Sequence, residues 1–334
     1  MKLKKFTFIL FEICIILSAC GDIHVKSGII NKDAKYITLS PHNSQIDIKA
    51  IISLYDEDGK FLESHKFNKV NLDRVTCYND NIYYHGPRGV IKVDRNKGTI
   101  KKILDSSSDI IDEEDGILYY NENGGFVKFP NPEYKVKICK FGEKECMSFN
   151  EIVYGFKVLK NKLYVILDSP QLGREIWTLK VYDFKTKKLL DEQNVPKGTD
   201  LQKAGNKIYV TELEKLAYEY NNKENILVTK YKNKEDILSK EDYIRNIYLN
   251  KNGKLFIGKY NFETGESIYS LYNFTDKKEI AKISDGNQIF YAPYSDIFIE
   301  MDTHNNKFID LNSNKTINAK QFNNYKTFNA IPLR

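Results

Sequence analysis

The feature that most constrains the fold of this chain is a unit that recurs at nearly regular intervals. Each unit joins a short apolar strand to a following hairpin, and the strands begin near Tyr36, Ile82, Ile117, Leu163, Ile208, Leu255 and Ile297. Successive starts lie 46, 35, 46, 45, 47 and 42 residues apart. A self-similar period of this length indicates a repeat architecture in which neighbouring units share one core.

The hairpins support the same count of units. In the clearest one, at 181–190, two apolar arms flank a polar turn rich in Asp, Thr and Lys. Polar turns occupy the corresponding places in the other units, at 56–60, 94–98, 140–144, 221–224, 273–277 and 310–314. Short segments rich in Tyr, Phe, Ile and Val between such turns predict strands. We therefore expect an all-β fold, a seven-bladed β-propeller of four-stranded antiparallel blades.

A ring of blades must also close, since an open first or last blade leaves unpaired strand edges. The segment 324–331 reads as a strand without a hairpin of its own. We expect it to be the innermost strand of the first blade, beside residues 35–39. Six or eight blades, or two stacked β-domains, remain open because boundaries read from sequence drift by several residues.

The turn at 182–188 resembles the Tyr-Asp-x-x-Thr-x-Lys turn of the broad quinoprotein-like class of seven-bladed propellers. The resemblance covers most of the chain after residue 20. It departs from related families in two respects, because the Trp-Asp dipeptide of WD40 repeats is missing and Trp177 is the single tryptophan. One tryptophan cannot supply the blade-by-blade residues usual in quinone-binding dehydrogenases, so no cofactor is predicted.

The N-terminus predicts export. Lysines within residues 2–5 precede an apolar run at 6–19 that contains Glu12, which is the layout of a secretory signal. The run is shorter than the roughly 20 apolar residues of a membrane-spanning helix. Residues 17–20, Leu-Ser-Ala-Cys, resemble the lipobox of bacterial lipoproteins. That resemblance implies cleavage before Cys20 and lipidation of its sulfur; the alternative is an ordinary signal cut at the same place.

These patterns divide the chain into a signal peptide at 1–19, expected to be helical, a lipidated tether at 20–34 and a propeller domain at 35–334. The tether of about 14 residues could span about 45 Å when extended. The protein is expected on the extracytoplasmic side of the bacterial cell membrane, which its lipid anchor contacts. The chain carries a formal net charge of +6 with acids and bases interspersed, a pattern that argues against a nucleic-acid partner.

Three cysteines remain after cleavage and lipidation. Cys139 and Cys146 flank the polar turn of the third unit, so a pairing of Lys140 with Glu145 places the two thiols opposite each other. A disulfide is feasible outside the cytoplasm; the alternative is two exposed thiols. Cys77 lies in an apolar strand segment and is interpreted as a small buried hydrophobe rather than a nucleophile.

No pattern in the sequence identifies a catalytic set, and no metal site is predicted. The five histidines are scattered without spacing suited to zinc. Two acidic clusters, 56–59 and 112–116, could offer carboxylates to calcium, but no bidentate Glu follows Gly59 in the register of an EF-hand. Both clusters are interpreted as solvated turns. Several tyrosines could line a channel, although most are expected to pack between blades: Tyr83, Tyr84, Tyr119, Tyr120, Tyr291 and Tyr294.

A rigid ring of strands that presents loops favours a binding or scaffolding module for an envelope protein, peptide or glycan. The alternative is an envelope enzyme, a propeller lyase or hydrolase, whose site would lie at the central channel. The sequence does not decide the ligand or the oligomeric state.

Overall fold

The computed structural model describes most of the chain after its first 26 residues. The described ranges are 27–43, 48–78, 80–123, 135–144, 146–168, 176–204, 206–211, 218–221, 226–229, 242–249, 255–261, 266–273, 276–284, 288–292, 297–302, 307–310, 315–318 and 329–333. The signal peptide, with its expected helix, and Cys20 lie outside these residues. No helix in these ranges is long and apolar enough to cross a membrane.

The described residues form strands joined by turns. In chain order the strands are β1 (Ser27–Ile29), β2 (Tyr36–Asn43), β3 (Ile48–Tyr55), β4 (Phe61–Asn68), β5 (Arg74–Cys77), β6 (Asn81–Gly86), β7 (Gly89–Asp94), β8 (Thr99–Leu104), β9 (Ile111–Glu114), β10 (Ile117–Asn123), β11 (Val136–Lys140), β12 (Cys146–Phe149), β13 (Ile152–Leu159), β14 (Lys162–Asp168), β15 (Ile176–Asp183), β16 (Leu189–Pro196), β17 (Asp200–Ala204), β18 (Lys207–Thr211), β19 (Tyr218–Asn221), β20 (Ile226–Thr229), β21 (Asp242–Leu249), β22 (Leu255–Asn261), β23 (Glu266–Asn273), β24 (Asp276–Ser284), β25 (Gln288–Ala292), β26 (Ile297–Asp302), β27 (Lys307–Asp310), β28 (Lys315–Asn318) and β29 (Asn329–Pro332).

Within the described ranges these strands form seven antiparallel sheets. Six have four strands, in the orders β29-β2-β3-β4, β9-β10-β11-β12, β13-β14-β15-β16, β17-β18-β19-β20, β21-β22-β23-β24 and β25-β26-β27-β28, and the second sheet has five, in the order β5-β6-β7-β8-β1. We call the first strand in each order the inner strand, because the inner strands β9, β13, β17 and β21 contact one another in succession.

The strand starts expected from the sequence coincide, within one residue, with the second strand of each sheet rather than with the inner strand. The polar turns at 94–98 and 183–188, for example, join the third strand of a sheet to the fourth. The sequence pattern therefore follows the repeat but is displaced by one strand; five of the seven inner strands, β5, β9, β17, β25 and β29, have only four or five residues.

Alternation of side chains explains how the sheets pack. β14 lies between two neighbours in its sheet and is buried on both faces. Leu163, Val165 and Leu167 join a cluster with the third sheet, whereas Tyr164 and Ile166 join a cluster with the fifth. Successive side chains of a strand point to opposite faces. The fourth sheet is thus packed between the third and the fifth.

In the third and fourth sheets, a two-residue turn joins the inner strand to the second strand. Lys160 and Asn161, between β13 and β14, both have positive φ, and so do Asp115 and Gly116 between β9 and β10. Turns with two positive φ angles match the right-handed twist of antiparallel strands. They fix the register between inner and second strands.

The two ends of the described chain meet in the first sheet. β29 pairs antiparallel with β2, with Asn329 opposite Leu39 and Pro332 opposite Tyr36. The Arg95 Nε donates a hydrogen bond to the carbonyl of Leu333 at 2.7 Å. The last strand is therefore tied to the first and second sheets.

The segment expected to be a tether contains a strand. β1 pairs with the outer strand β8, with Ser27 opposite Lys101, and the backbone N–H of Asn31 donates to Glu63 of β4 at 2.8 Å. Gly28 lies so close to the His65 ring that a Cβ added there would come within 2.5 Å of it. The extended chain from 27 to 31 thus packs between the outer strands of the first two sheets, because its backbone completes the open edge of β8.

The ends of the sheets define two rims that are used below. The upper rim is the end at which the inner strands β5, β9, β13 and β17 begin, at Arg74, Ile111, Ile152 and Asp200, and the lower rim is the end at which they finish, at Cys77, Glu114, Leu159 and Ala204.

Candidate functional site

A buried carboxylate stands where three inner strands meet. Asp112 of β9 is fully buried. Its Oδ2 accepts a hydrogen bond from the backbone N–H of Val158 at 2.6 Å, and its Oδ1 accepts one from the Tyr78 hydroxyl at 3.0 Å. Lys157 Nζ lies 3.9 Å from Oδ1. Donors converge on this carboxylate, which is the usual requirement for burying a charge.

Lys203 of β17 completes the cluster. Its Nζ donates to Asp112 Oδ2 at 2.9 Å, to Glu114 Oε2 at 3.1 Å and to the backbone carbonyls of Glu113 and Val158 at 2.6 and 3.0 Å. The ammonium group thus contacts residues of β9 and β13 as well as its own strand. We call Asp112, Glu114, Lys157 and Lys203 the inner-strand charge cluster.

Within the inner-strand charge cluster, acceptor atoms surround Lys203. Two carboxylates and two carbonyls surround the Lys203 ammonium, which has three protons to donate. The arrangement therefore links the third, fourth and fifth sheets.

A second layer of polar contacts surrounds the neighbouring Glu113. Its Oε2 accepts hydrogen bonds from Asn81 Nδ2 at 2.8 Å and from the Tyr83 hydroxyl at 2.5 Å. Burial, together with the hydrogen bond to Glu113, raises the pKa of Tyr83 well above its usual range. Burial and the nearby Asp112 do the same for the pKa of Tyr78. Both phenols therefore remain protonated donors that join the second sheet to the third.

His85 is a buried histidine near the upper rim. Its Nδ1 lies 3.0 Å from the carbonyl oxygen of Ser108 and its Nε2 lies 2.9 Å from the Thr76 hydroxyl. A neutral ring satisfies both contacts when Nδ1–H donates to the carbonyl and Nε2 accepts from the hydroxyl. Burial lowers the pKa of His85 to about 4, so the ring is neutral at physiological pH.

The upper rim of the fourth sheet carries an aromatic pair in which one of the two rings is exposed. The rings of Tyr154 and Trp177 stack with centroids 3.9 Å apart and planes inclined by 13°. Tyr154 is 41% exposed and Trp177 is buried. Ile176 beside them is 50% exposed, and the Tyr154 hydroxyl donates to Asp168 Oδ2 at 3.3 Å. We call Tyr154, Asp168, Ile176 and Trp177 the rim platform.

No protein-family model matches the chain. No curated protein matches it either. Solved structures, in contrast, do match the chain. Apo AztD from Citrobacter koseri has a TM-score of 0.56 at 13% identity, over 90% of this chain and 98% of that one. The acylaminoacyl peptidase of Pyrococcus horikoshii has a TM-score of 0.51 at 11% identity, over 86% of this chain and 53% of that one.

A quinoprotein alcohol dehydrogenase-like protein from Bacteroides thetaiotaomicron also matches, with a TM-score of 0.42 at 13% identity, over 77% of this chain and 67% of that one. The likeness to solved propellers agrees with the antiparallel four-stranded sheets described above. The fold is a β-propeller. Identities this low describe the fold and leave the ligand of this propeller to be argued from its own residues.

The two cysteines of the third unit are joined in the propeller. Cys139 of β11 and Cys146 of β12 stand opposite each other in register and form a disulfide. Cys77 is a free thiol packed against the core shared by the first two sheets, and burial raises its pKa. A thiol with a raised pKa is a poor nucleophile at neutral pH.

The two acidic clusters lie in different kinds of structure. The cluster 56–59 is a turn in which Asp56 Oδ1 accepts hydrogen bonds from the backbone N–H groups of Asp58 and Lys60 at 2.9 and 2.8 Å. The interpretation of 112–116 as a solvated turn is wrong for its first three residues, which form β9. Asp112 is buried because Lys203, 91 residues further along the chain, neutralises it. In the described part of the chain no group of His, Cys, Asp or Glu is arranged to hold a metal ion.

The tyrosines considered as channel residues are mostly packed inside. Tyr83, Tyr84, Tyr119 and Tyr120 are buried. The side chain of Tyr291 is not described and Tyr294 lies outside the described residues. Sequence reasoning missed the rim platform, although the single tryptophan of the chain was a signal that could have drawn attention to it.

Proposed function

We propose that this protein is an exported lipoprotein, anchored to the bacterial cell membrane through Cys20, whose seven-bladed propeller is a binding module for an envelope protein, peptide or glycan. The anchoring part rests on the signal and lipobox pattern in the sequence. The binding part rests on the geometry of the described residues.

The main support for a binding function is the contrast between the inner strands and the upper rim. Within the inner-strand charge cluster, Lys203 is paired with Asp112 and Glu114. The upper rim, in contrast, displays aromatic and aliphatic surface at Tyr154 and Ile176 on rigid strands. Large exposed apolar side chains on a rigid frame are typical of recognition surfaces.

Closure of the ring supports the blade count. Seven sheets are present within the described ranges, and β29 supplies the inner strand of the first. A first sheet built from both ends of the chain removes an open edge, which a ring of blades requires. The scaffold would then hold the upper rim in one fixed shape.

The tether is short in this proposal. β1 begins at Ser27, so only the residues from Cys20 to Ser27 separate the lipid from the folded part. At roughly 3.3 Å per residue they reach about 23 Å. The start of β1 would stay within this distance of the lipid surface, which favours partners in or near the membrane.

Mass spectrometry of the mature N-terminus tests the anchor. We expect the first residue to be Cys20, carrying the mass of a diacylglyceryl group, and the protein to sediment with membranes. Cys20→Ser should release it into the soluble fraction, whereas Cys77→Ser, a matched change at a thiol inside the fold, should leave it membrane-bound. An unmodified Cys20 in the wild-type protein would contradict the proposal.

Cross-linked capture from envelope extract tests the binding surface. Tyr154 and Phe141 are aromatic residues of similar exposure, 41% and 43%, but Phe141 lies in the turn after β11 at the lower rim. We expect Tyr154→Ala to lose a partner that Phe141→Ala retains. Equal capture by the two variants, or no specific partner with the wild type, would count against the proposal.

A second candidate is a propeller-type envelope lyase or hydrolase. The observation that favours it is the convergence of Asp112, Glu114, Lys157 and Lys203 on the inner strands. The mutual contacts of these groups make a structural role the stronger interpretation. Glycan turnover that disappears in Lys203→Met while the fold survives would reverse this preference.

A further inference from the structure

Exposed aliphatic side chains gather at the lower rim of the third and fourth sheets. Leu189 and Leu190, the first residues of β16, are 42% and 41% exposed, and Ile117, the first residue of β10, is 37% exposed. Both strands begin at the lower rim, because they run antiparallel to the inner strands of their sheets. Exposed apolar side chains that cluster are typical of contact surfaces.

The two leucines lie at a β-bulge. Leu189 stands opposite Tyr182 of β15, whereas Asp191 stands opposite Val181, so Leu190 is the extra residue. Bulges redirect side chains and occur often at the edges of sheets, next to functional sites. The start of β16 thus presents two successive leucines to solvent.

The turn before these leucines is basic. Residues 183–190 contain three lysines and one aspartate, a net charge of +2. Lys185 and Lys188 are exposed. The carboxylate of Asp183 accepts hydrogen bonds from the backbone N–H and the hydroxyl of Thr186, at 2.7 and 2.9 Å. The acid of the turn is therefore used to fix its backbone, while these two lysines extend into solvent.

Packing inside the fold places the turn at 184–188 beside both sheets. The Phe184 ring packs against Tyr119 of β10, with ring centroids 5.1 Å apart, and Ile117 lies on the same face of β10 as Tyr119 because the two are two residues apart. The Phe184 backbone N–H donates to the carbonyl of Asn161, between β13 and β14, at 2.8 Å. The basic turn and the exposed aliphatic residues thus share one corner of the propeller.

Lys160, which precedes Asn161, adds a further exposed cation to this corner. Asp115, in the turn before Ile117, is exposed and opposes part of the positive charge, but the lysines outnumber it. We call the following residues the lower-rim patch: Ile117, Lys160, Lys185, Lys188, Leu189 and Leu190.

The surface that fits this composition is an anionic phospholipid bilayer. Aliphatic side chains enter the boundary between headgroups and acyl chains, and neighbouring lysines are attracted to anionic headgroups. Each lysine close to such a surface contributes to binding, and the attraction fades within a Debye length. Lysines beside exposed leucines at one rim provide both contributions.

The second sheet supplies an independent reason to expect lipid near this rim. Ile29, the last residue of β1, stands opposite Thr99 at the lower end of β8 and is 80% exposed. The second sheet adjoins the third, to which Tyr78 is joined through Asp112. The proposed anchor at Cys20 therefore enters the fold next to the sheets that carry the lower-rim patch.

We propose that the lower-rim patch binds the surface of a membrane that contains anionic phospholipid. This inference goes beyond the partner binding proposed above, and it leaves the upper rim turned towards the envelope. It makes the patch a second attachment to the membrane, since one lipid signal and a basic surface reinforce each other.

Vesicle binding by a chain without the lipid isolates the patch. The chain from residue 20 onwards with Cys20→Ser keeps every described strand. We expect it to sediment with vesicles made of equal parts phosphatidylglycerol and phosphatidylcholine, and to bind phosphatidylcholine vesicles at least about ten-fold more weakly. Added salt should weaken the binding to the anionic vesicles, because it screens the lysines.

Paired substitutions in this chain locate the contact. Lys185→Gln/Lys188→Gln should weaken binding to the anionic vesicles at least about ten-fold. The matched control is Arg88→Gln/Lys197→Gln, which removes the same charge from exposed residues of the upper rim and should weaken binding less than about three-fold. The unfolding midpoint of each variant shows whether its fold is retained.

Tryptophan fluorescence tests whether the start of β16 enters the lipid. Trp177, the single tryptophan of the chain, lies at the upper rim of the same sheet. Leu190→Trp in a Trp177→Phe background moves the probe to the patch. Brominated phospholipid should quench this probe and leave the emission of Trp177 in the parent chain unchanged.

Three results would overturn the inference. They are the absence of salt-sensitive binding to the anionic vesicles, equal weakening by the two charge pairs, and quenching of Trp177 in place of the probe at position 190. An unmodified Cys20 would contradict the proposed anchoring without changing these measurements, because the tested chain carries no lipid.

Discussion

At the scale of single residues, Asp112 and Lys203 form a buried ion pair that, together with the backbone of Val158, joins three neighbouring sheets. The side chain of Asp112 is fully buried and that of Lys203 is 14% exposed. A buried ion pair contributes little net stability relative to an apolar pair, but removal of one partner leaves an uncompensated charge inside the protein. A substitution of either residue alone should therefore lower the stability of the protein strongly. The two substitutions together should lower it by less than the sum of the single changes.

Lys203→Met tests the cost. We expect it to lower the free energy of unfolding by about 3–5 kcal/mol, because Asp112 and Glu114 lose their shared cation. Urea denaturation of the wild type and the variant measures this difference. The matched control is Lys185→Met, at an exposed residue of the turn after β15, which should change stability by less than about 0.5 kcal/mol. The double variant Asp112→Asn/Lys203→Met should be less destabilised than the sum of its single changes.

His85 gives the propeller a pH dependence. Its pKa is about 4 in the folded state, against an ordinary value of 6.5. The unfolded chain therefore binds more protons between these values, so stability should fall as the pH falls from 6.5 towards 4. The shift corresponds to about 3 kcal/mol at most.

Unfolding measured at pH 7.5 and at pH 4.5 tests this dependence in the wild type and in His85→Gln. The variant should lose less stability on acidification than the wild type, because it has no ring to protonate beside Ser108 and Thr76. Equal losses in the two proteins would show that other groups dominate the acid sensitivity.

At the scale of elements, the docking of β1 depends on a missing side chain. Gly28→Ala would place a Cβ within 2.5 Å of the His65 ring, so β1 should be displaced from β8. We expect faster hydrogen exchange at the amides of residues 28–30 with a small change in global stability. Ser27→Ala, at an exposed neighbour, should leave exchange unchanged, and Gly28→Ala/His65→Ala should restore protection. Exchange that stays slow in Gly28→Ala would show that the ring moves instead.

The strands and turns also show which parts of the fold could be predicted from the sequence. Local signals located the second strands and the polar turns, because alternation and turn residues act within a few positions. The pairing of Cys139 with Cys146 likewise follows from one hairpin. β9 was missed because its acidic residues look solvated until Lys203 is known to lie beside them, and β1 was missed because pairing with β8 is a long-range contact. The rim platform joins Tyr154 of β13 to Trp177 of β15, a juxtaposition that depends on the register of a whole sheet.

At the scale of the whole molecule, the first sheet is completed by residues from both ends of the described chain. Removing residues 329–334 should lower the free energy of unfolding by at least about 3 kcal/mol, because Ile331 and Leu333 are buried and each buried aliphatic side chain contributes about 1.5–3 kcal/mol. The exposed edge of β2 should also promote self-association. Urea unfolding and light scattering measure the two effects, and removal of Arg334 alone is the control. A truncated protein that stays monomeric and equally stable would contradict the role of β29 in closure.

The pairing of β29 with β2 also sets an order of events during biosynthesis. About 290 residues separate the partners, so on a growing chain the ring cannot close until almost all of the propeller has left the ribosome. Closing a loop of this size costs about 1.6 kcal/mol more than closing one of about 45 residues, and folds rich in such distant contacts form slowly. For a protein that we propose is exported across a membrane, this delay is useful, because the nascent chain lacks the strand that completes the first sheet until its synthesis is almost finished.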